Sequence, residues 1–371
     1  MIKNKKTKLT VLQILPELNS GGVERGTLEV ARFLVSRGHK SLVISGGGRM
    51  QEDLRKEGSK HFQWSIGKKS LFTLKYVPIL ARFLLNNKVD ILHARSRFPA
   101  WICFLALKII PIQERPKFIT TFHGPYSVNF YSAIMTKGDK VIVISKTIKK
   151  YVLKNYKLNS HKLFLNYRGV DSAQFPYHFK PKETWIKDWY QYYPETKNKI
   201  LLTMPGRITR WKGQEDFIEI IAKLRKNHSN IIGLIVGDVK SNKKNFLNEL
   251  KQKVEQLGVE KNIVFIEHRS DLREIMSISK IVFSLSKEPE AFGRTTIESL
   301  KLGIPVIGYS HGGVGEQLKE VFPQGQIGRK NKGQAVLLAS KWIIDPPKVA
   351  YSKLFSLNEM LENTLKVYES A

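Results

Sequence analysis

The stretch Ile281-Val-Phe-Ser-Leu-Ser-Lys-Glu-Pro-Glu-Ala-Phe-Gly-Arg-Thr-Thr-Ile-Glu-Ser-Leu-Lys-Leu-Gly-Ile-Pro-Val-Ile-Gly-Tyr309 changes its hydrophobic period twice. Residues 281–285 form a short, continuous apolar run, as in a strand covered on both faces. Residues 286–292 read as a loop, and Gly293 opens a helix that continues through 295–302. Residues 305–309 are a further apolar strand. Strand, helix and strand in this order make the βαβ unit of a parallel sheet.

The same alternation runs along nearly the whole chain. Residues 10–15 read as a strand, Gly21-Gly22 as a turn, and residues 23–37 as a helix with Val23, Leu28, Ala31, Leu34 and Val35 at helical spacing. Residues 41–45, 89–93, 118–122 and 141–144 are further strands. After a stretch rich in aromatics and lysine (172–198), the pattern restarts with strands at 200–204, 231–236 and 263–266 and a helix at 215–225. A chain of 371 residues exceeds what one core usually serves. The expectation is α/β architecture in two doubly wound, Rossmann-like domains, 1–170 and 171–347. Such sheets bind ligands beyond the carboxyl ends of their strands. Two such edges facing each other would enclose a deep cleft.

Composition narrows the function classes. Apolar residues at 42% and aromatics at 10% exclude wholesale disorder. The lone cysteine, Cys103, sits in an apolar stretch and reads as a small buried hydrophobe; disulfides and cysteine metal sites are excluded. A basic start (Lys3, Lys5, Lys6, Lys8) precedes a short apolar run that leads into Pro16-Glu17, which suits a buried strand better than a secretion signal. The apolar stretch 98–112 contains Lys108 and is too short to span a bilayer. A cytoplasmic protein, soluble or peripheral to a membrane, is the expectation.

The formal charge of +30 is uneven. Residues 1–170 carry 31 Lys+Arg against 9 Asp+Glu, and residues 171–371 carry 31 against 23. A basic first half suits an anionic membrane surface. Lys146, Lys149, Lys150, Lys154 and Lys157 are either a membrane-facing cluster or a solvated helix face. Nucleic-acid signatures are missing, so no nucleic-acid partner is expected.

Four motifs carry chemistry. In Glu290-Ala-Phe-Gly-Arg-Thr-Thr-Ile-Glu298, a helix start follows a strand. The amides of Gly293, Arg294, Thr295 and Thr296 would be donors at a positive dipole end, with a carboxylate on each side for paired hydroxyls. In Pro205-Gly206-Arg207-Ile208-Thr209-Arg210-Trp211-Lys212-Gly213, Arg207 and Lys212 place two cations at a strand's carboxyl edge, able to neutralise a diphosphate without a metal. Of two glycine-rich turns, at Gly21-Gly22 and Gly312-Gly313, the first follows a strand and opens a helix, as a phosphate-cradling turn should; Gly46-Gly47-Gly48 reads as a plain mobile loop. His123, just past a strand, is either structural or a hydrogen-bond donor to a sugar. The remaining histidines read as helix-end or surface residues. There is no Asp-x-Asp, and no metal site is expected.

Together these residues resemble the retaining GT-B glycosyltransferases of family 4, including enzymes of bacterial lipopolysaccharide core assembly. The similarity runs in order through Leu15 to Glu24, Phe122-His123-Gly124, Val143-Ile144-Ser145, Arg168-Gly169-Val170-Asp171, Gly206-Arg207 with Lys212-Gly213, Val236-Gly237-Asp238, Glu290 to Glu298, and Gly312-Gly313 with Glu316. Tyr167-Arg168 departs from the more usual Asn-Gly pair. The resemblance implies catalytic roles for His123, Glu290, Arg207 and Lys212. Donor binding would fall to Gly22, Arg207, Lys212, Glu290, Phe292, Gly293, Arg294, Thr295, Thr296 and Glu298. Within that set Glu290 would take sugar hydroxyls and Glu298 the ribose. It also implies a nucleotide-sugar donor carried by uridine diphosphate, no metal, and a last helix (within 348–371, read as 351–368) that rejoins the first domain. The basic first half, suited to an anionic cytoplasmic leaflet, points to a lipid-linked saccharide acceptor. A nucleotide-sugar binder of another activity, such as an epimerase, a phosphorylase or an inactive protein, is the alternative.

Overall fold

Runs of Val, Ile and Leu with no polar face cannot stand in water, and they set the strands of two parallel sheets. The computed structural model describes residues 8–19, 21–239 and 244–371. Lys3, Lys5 and Lys6, named above, and Ser20 within the stretch Leu15 to Glu24 lie outside them.

The first sheet comes from β1 (Thr10–Ile14), α1 (Gly22–Ser36), β2 (Lys40–Ser45), α2 (Gln51–Lys56), β3 (Lys60–Gln63), α3 (Tyr76–Asn86), β4 (Ile91–Ala94), α4 (Arg97–Ile109), β5 (Lys117–Phe122), α5 (Phe130–Ala133), β6 (Lys140–Val143), α6 (Lys146–Asn155) and β7 (Leu163–Leu165). The strand order is β3-β2-β1-β4-β5-β6-β7. The second sheet comes from α7 (Glu183–Tyr192), β8 (Ile200–Pro205), α8 (Gln214–Leu224), β9 (Ile231–Val236), α9 (Lys244–Gln256), β10 (Ile263–Ile266), α10 (Leu272–Ser277), β11 (Ile281–Ser284), α11 (Arg294–Lys301), β12 (Val306–Tyr309), α12 (Gly312–Val321), β13 (Gln326–Ile327) and α13 (Lys332–Ile344), in the order β10-β9-β8-β11-β12-β13. The final helix is α14 (Leu357–Glu369). All the pairings are parallel.

The chain divides into two units, Met1–Tyr167 with Asn358–Ala371, and Arg168–Leu357. In each, the strand order reverses once, between β1 and β4 in the first and between β8 and β11 in the second. Right-handed crossovers then put α1 and α2 on one face of the first sheet and α3 to α6 on the other. The reversal points are where open α/β sheets hold ligands.

The structure corrects four readings. The last helix begins at Leu357, not 351, because the chain just before it is pinned as extended backbone. The Val170 amide donates to Phe355 O (2.9 Å), the Leu357 amide donates to Val170 O (3.0 Å), and a Cβ on Gly169 would meet Ser356 O at 2.3 Å. Residues 46–48 are not a plain mobile loop. The Leu18 amide donates to Gly47 O (2.8 Å), the Met50 amide to Leu18 O (2.9 Å), and the Gly48 position leaves no room for a Cβ beside Leu18. His93 is no surface residue but buried in β4, bonded to the Tyr368 hydroxyl and to Thr121 Oγ1 (each 2.7 Å). Edge strands β3, β7 and β13 were not foreseen, being short or lacking an apolar run.

The Tyr368 contact is one of several that tie α14 to the first sheet. Asn166 Nδ2 donates to Met360 O (3.0 Å) and Thr364 Oγ1 (2.9 Å), and Arg37 pairs with Glu362.

Candidate active site

At the reversal of the second sheet two loops leave neighbouring strands: 206–213 after β8 and 285–293 after β11. Glycine lets them touch. Gly213, with φ +91°, ends the first loop as the residue before α8, and a Cβ there would lie 2.0 Å from Leu285 O. The Lys287 amide donates to Trp211 O (2.6 Å), joining the loops again two residues on. Between these contacts Lys212 Nζ donates to Glu290 Oε1 at 2.7 Å, both side chains largely buried, and Ser286 Oγ donates to the same oxygen. Lys212 also lies 4.7 Å over the Trp211 ring. The phosphate cation and the sugar-binding carboxylate expected from the sequence are thus a single pair whose charges compensate each other.

Arg207 differs. Its guanidinium is exposed and has no ion-pair partner among the described residues, while its carbonyl accepts from Gln214 Nε2 (3.1 Å). The loop beneath it is stiffened by Gly237, where a Cβ would meet Gly206 O at 2.1 Å, and by the Ile208 amide donating to Asp238 O (3.0 Å).

Two helix N-termini open at this edge, and they are not equivalent. The first turn of α8 carries Glu215 and Asp216, so its positive end is met by its own carboxylates. The first turn of α11 has no acidic residue and no side-chain cap. It is the electropositive end suited to an anion. One of the four amides proposed as donors is already used: the Thr296 amide donates to Gly293 O (3.2 Å), closing a tight first turn. Glu298 is buried, and Arg294 Nε donates to its Oε1 at 2.6 Å. Arg294 and Glu298 are therefore one i,i+4 pair.

The second glycine-rich turn is a buttress. A Cβ on Gly313 would meet the Phe292 backbone at 2.4 Å, and one on Gly312 the Glu290 backbone at 2.7 Å. The Gly313 amide donates to Glu290 O (2.7 Å), Gln317 Nε2 to Phe292 O (2.6 Å), and His311 Nε2 bonds Ser286 O (2.7 Å). From below, Lys287 pairs with Glu215 and lies 3.7 Å from Asp216, which accepts from the Tyr309 hydroxyl (2.7 Å). Burial lowers the Lys287 pKa, but the bond to Glu215 and the nearby carboxylates more than offset it and hold the ammonium. Burial, then Asp216, push the Tyr309 phenol well above its usual range. Ser286, Lys287 and Tyr309 were not singled out from sequence; only the place of the first two beside Glu290 signals them.

Gly22 and His123 belong to the first unit. Gly22 opens α1 beside the reversal point, exposed, with nothing within 4 Å of where a Cβ would stand. His123 follows β5 at the same carboxyl edge and is half-buried. At that edge Arg95, missed from sequence, is buried after β4 and donates through Nη1 to Gln13 Oε1 (2.5 Å). Among the described residues no three His, Cys, Asp or Glu side chains gather as a metal site would need.

Residues 20–174 match the family model "Glycosyltransferase Family 4", and residues 187–352 match "Glycosyl transferases group 1". A glycosyltransferase of Rickettsia africae is 32% identical in solved structure, with TM-score 0.83 over 98% of each chain. Anabaena Alr3699/HepE, solved in complex with UDP and glucose, shares the fold at TM-score 0.83 and 18% identity, covering 98% of this chain and 100% of that one. The N-acetyl-alpha-D-glucosaminyl L-malate synthase of Bacillus anthracis is 25% identical over 82% of this chain and 79% of its own.

Proposed function

The chain belongs to the group 1, family 4 glycosyltransferases of GT-B fold, and from that premise we propose that it is a retaining, metal-independent hexosyltransferase. It takes a UDP-sugar as donor and a lipid-linked saccharide as acceptor, in envelope polysaccharide or lipopolysaccharide assembly at the cytoplasmic face of a membrane. The observation that carries the reading is the Lys212–Glu290 pair beside exposed Arg207 and the acid-free N-terminus of α11.

A diphosphate entering there meets two cations and a positive dipole end, and Lys212 exchanges a carboxylate for phosphate oxygens. Glu290, released on one side, accepts hydroxyls of the sugar; Glu298, oriented by Arg294, accepts those of the ribose. The bond from the anomeric carbon to the diphosphate oxygen breaks and the acceptor oxygen bonds to that carbon on the same face. The acceptor's proton passes to the departing phosphate. The family resemblance assigns His123 to the transferred sugar and Gly22 to close backbone approach of the donor phosphate. Catalysis rests on positioning and charge stabilisation. UDP-glucose, solved in complex with HepE, and the N-acetyl-alpha-D-glucosaminyl group in the name of the Bacillus synthase support a hexose or its N-acetylamino derivative.

The test is nucleotide release from UDP-sugars with and without acceptor saccharides, with chelator present. Lys212→Ala is expected to lose on the order of 10²-fold in rate, as for one preorganised charge donor. Near-normal turnover in that variant, or an absolute need for manganese, ends the reading.

A further inference from the structure

From Gly58 to Val170 the chain has 20 Lys and Arg against three acids, Asp90, Glu114 and Asp139. Two of those are tied to backbone at strand starts: Asp90 accepts from the Thr10 amide (2.7 Å) and Asp139 from the Phe118 amide (2.8 Å). Helices α3, α4, α5 and α6, which share one face of the first sheet, contain no Asp or Glu at all. An ordinary solvated surface mixes both signs.

The same segment holds every exposed large hydrophobic residue described in the first unit. Leu71 and Phe72 are each 85% exposed and Phe130 82%, with Val128 beside it. These are built tips, not frayed chain. The 3-10 turn Leu71–Lys75 is anchored by buried Thr73, whose hydroxyl donates to Lys68 O (2.7 Å), and Ser70 caps it. Lys69 Nζ lies 5.3 Å over the Tyr131 ring and Phe130 packs on Trp101 at 5.1 Å, so both tips stand on one rim. Lys68, Lys69 and Lys75 surround them, all exposed.

We infer that this rim docks on an anionic lipid bilayer. Leu71, Phe72, Val128 and Phe130 enter the headgroup layer while the lysines meet lipid phosphates. Charge complementarity selects an anionic partner, and Leu71 and Val128, which cannot stack on bases as Phe72 and Phe130 could, select a lipid layer over nucleic acid. The docking face is thus wider than the α6 lysines alone. The inference rests on the proposed lipid-linked acceptor for its purpose, since it brings the carboxyl edge bearing His123 to the surface where such an acceptor lies.

The experiment is co-sedimentation of the full chain with phosphatidylcholine vesicles, with and without phosphatidylglycerol, in the absence of donor and acceptor. Wild type is expected on the anionic vesicles only, and less at high salt. The pair Leu71→Ser/Phe72→Ser weakens that binding by about tenfold or more, and Lys68→Glu/Lys69→Glu by a similar factor. Neither pair shifts the melting temperature or the thermal shift given by UDP-sugar, because the side chains are exposed. Equal binding to neutral vesicles, unchanged binding by the serine pair, or tighter binding to an RNA oligonucleotide overturns the inference. Lipid binding is read apart from turnover, so its failure leaves the transferase proposal standing, and the reverse.

Discussion

Gly213 shows how much one residue can hold. Its left-handed backbone and the carbonyl 2.0 Å from its missing Cβ both exclude a side chain. Gly213→Ala is expected to cost about 2 kcal/mol or more of stability and at least about tenfold in kcat/KM, because either loop must move. Melting temperature and steady-state kinetics check both parts. Tyr368→Phe makes a different demand. It removes the partner of His93 Nδ1 inside the core, and a buried group so orphaned costs about 1–3 kcal/mol. Denaturant unfolding is expected to show that loss with kinetics unchanged. Alignment with a family motif finds Lys212 and Glu290 one by one. That they bond each other, with Ser286 as third member, is a matter of loop contact that no spacing reveals.

At the scale of elements, strands covered on both faces are legible because their apolar runs have no other explanation; β1, β5, β8, β9 and β11 begin or end within a residue of where periodicity puts them. Edge strands are not. Lys60–Gln63 reads Lys-His-Phe-Gln, half-exposed, and β13 is two residues long. The loop 286–293 is likewise opaque in sequence, since its shape comes from α12, α8 and β12 around it. Tyr309→Phe and Lys287→Met are therefore expected to lower kcat/KM by about tenfold while leaving the fold intact, as a circular dichroism and kinetic comparison would show. A histidine after α1 gives a pH dependence. Leu9 donates its amide to His39 Nδ1 (3.0 Å), which requires the neutral ring. Burial holds the His39 pKa below 6.5, with Glu369 opposing and Arg37 adding to the effect. His61 is lowered too, by burial and then Arg55. The unfolded chain takes up these protons first, so this stability is present above about pH 6.5 and is lost as pH falls below it. Melting temperature is expected to drop between pH 7.5 and 5.5, and less steeply in His39→Gln.

Over the whole molecule, the +30 charge is the feature that sequence reports most directly and explains least. The acid-free helix face that carries part of it comes from the strand order, since the direction of each crossover decides which helices share a side. That arrangement is expected to make the protein stick to anionic surfaces in low salt, a property visible as salt-dependent retention on a cation-exchange column.

The return of α14 to the first sheet has a bearing on synthesis. A ribosome releases the second unit's residues before the stretch that covers His93 and Asn166. The half of the protein made first is thus finished last, so a released chain lacking residues 358–371 would carry a complete second unit and an unsealed first one, open to chaperones or proteases.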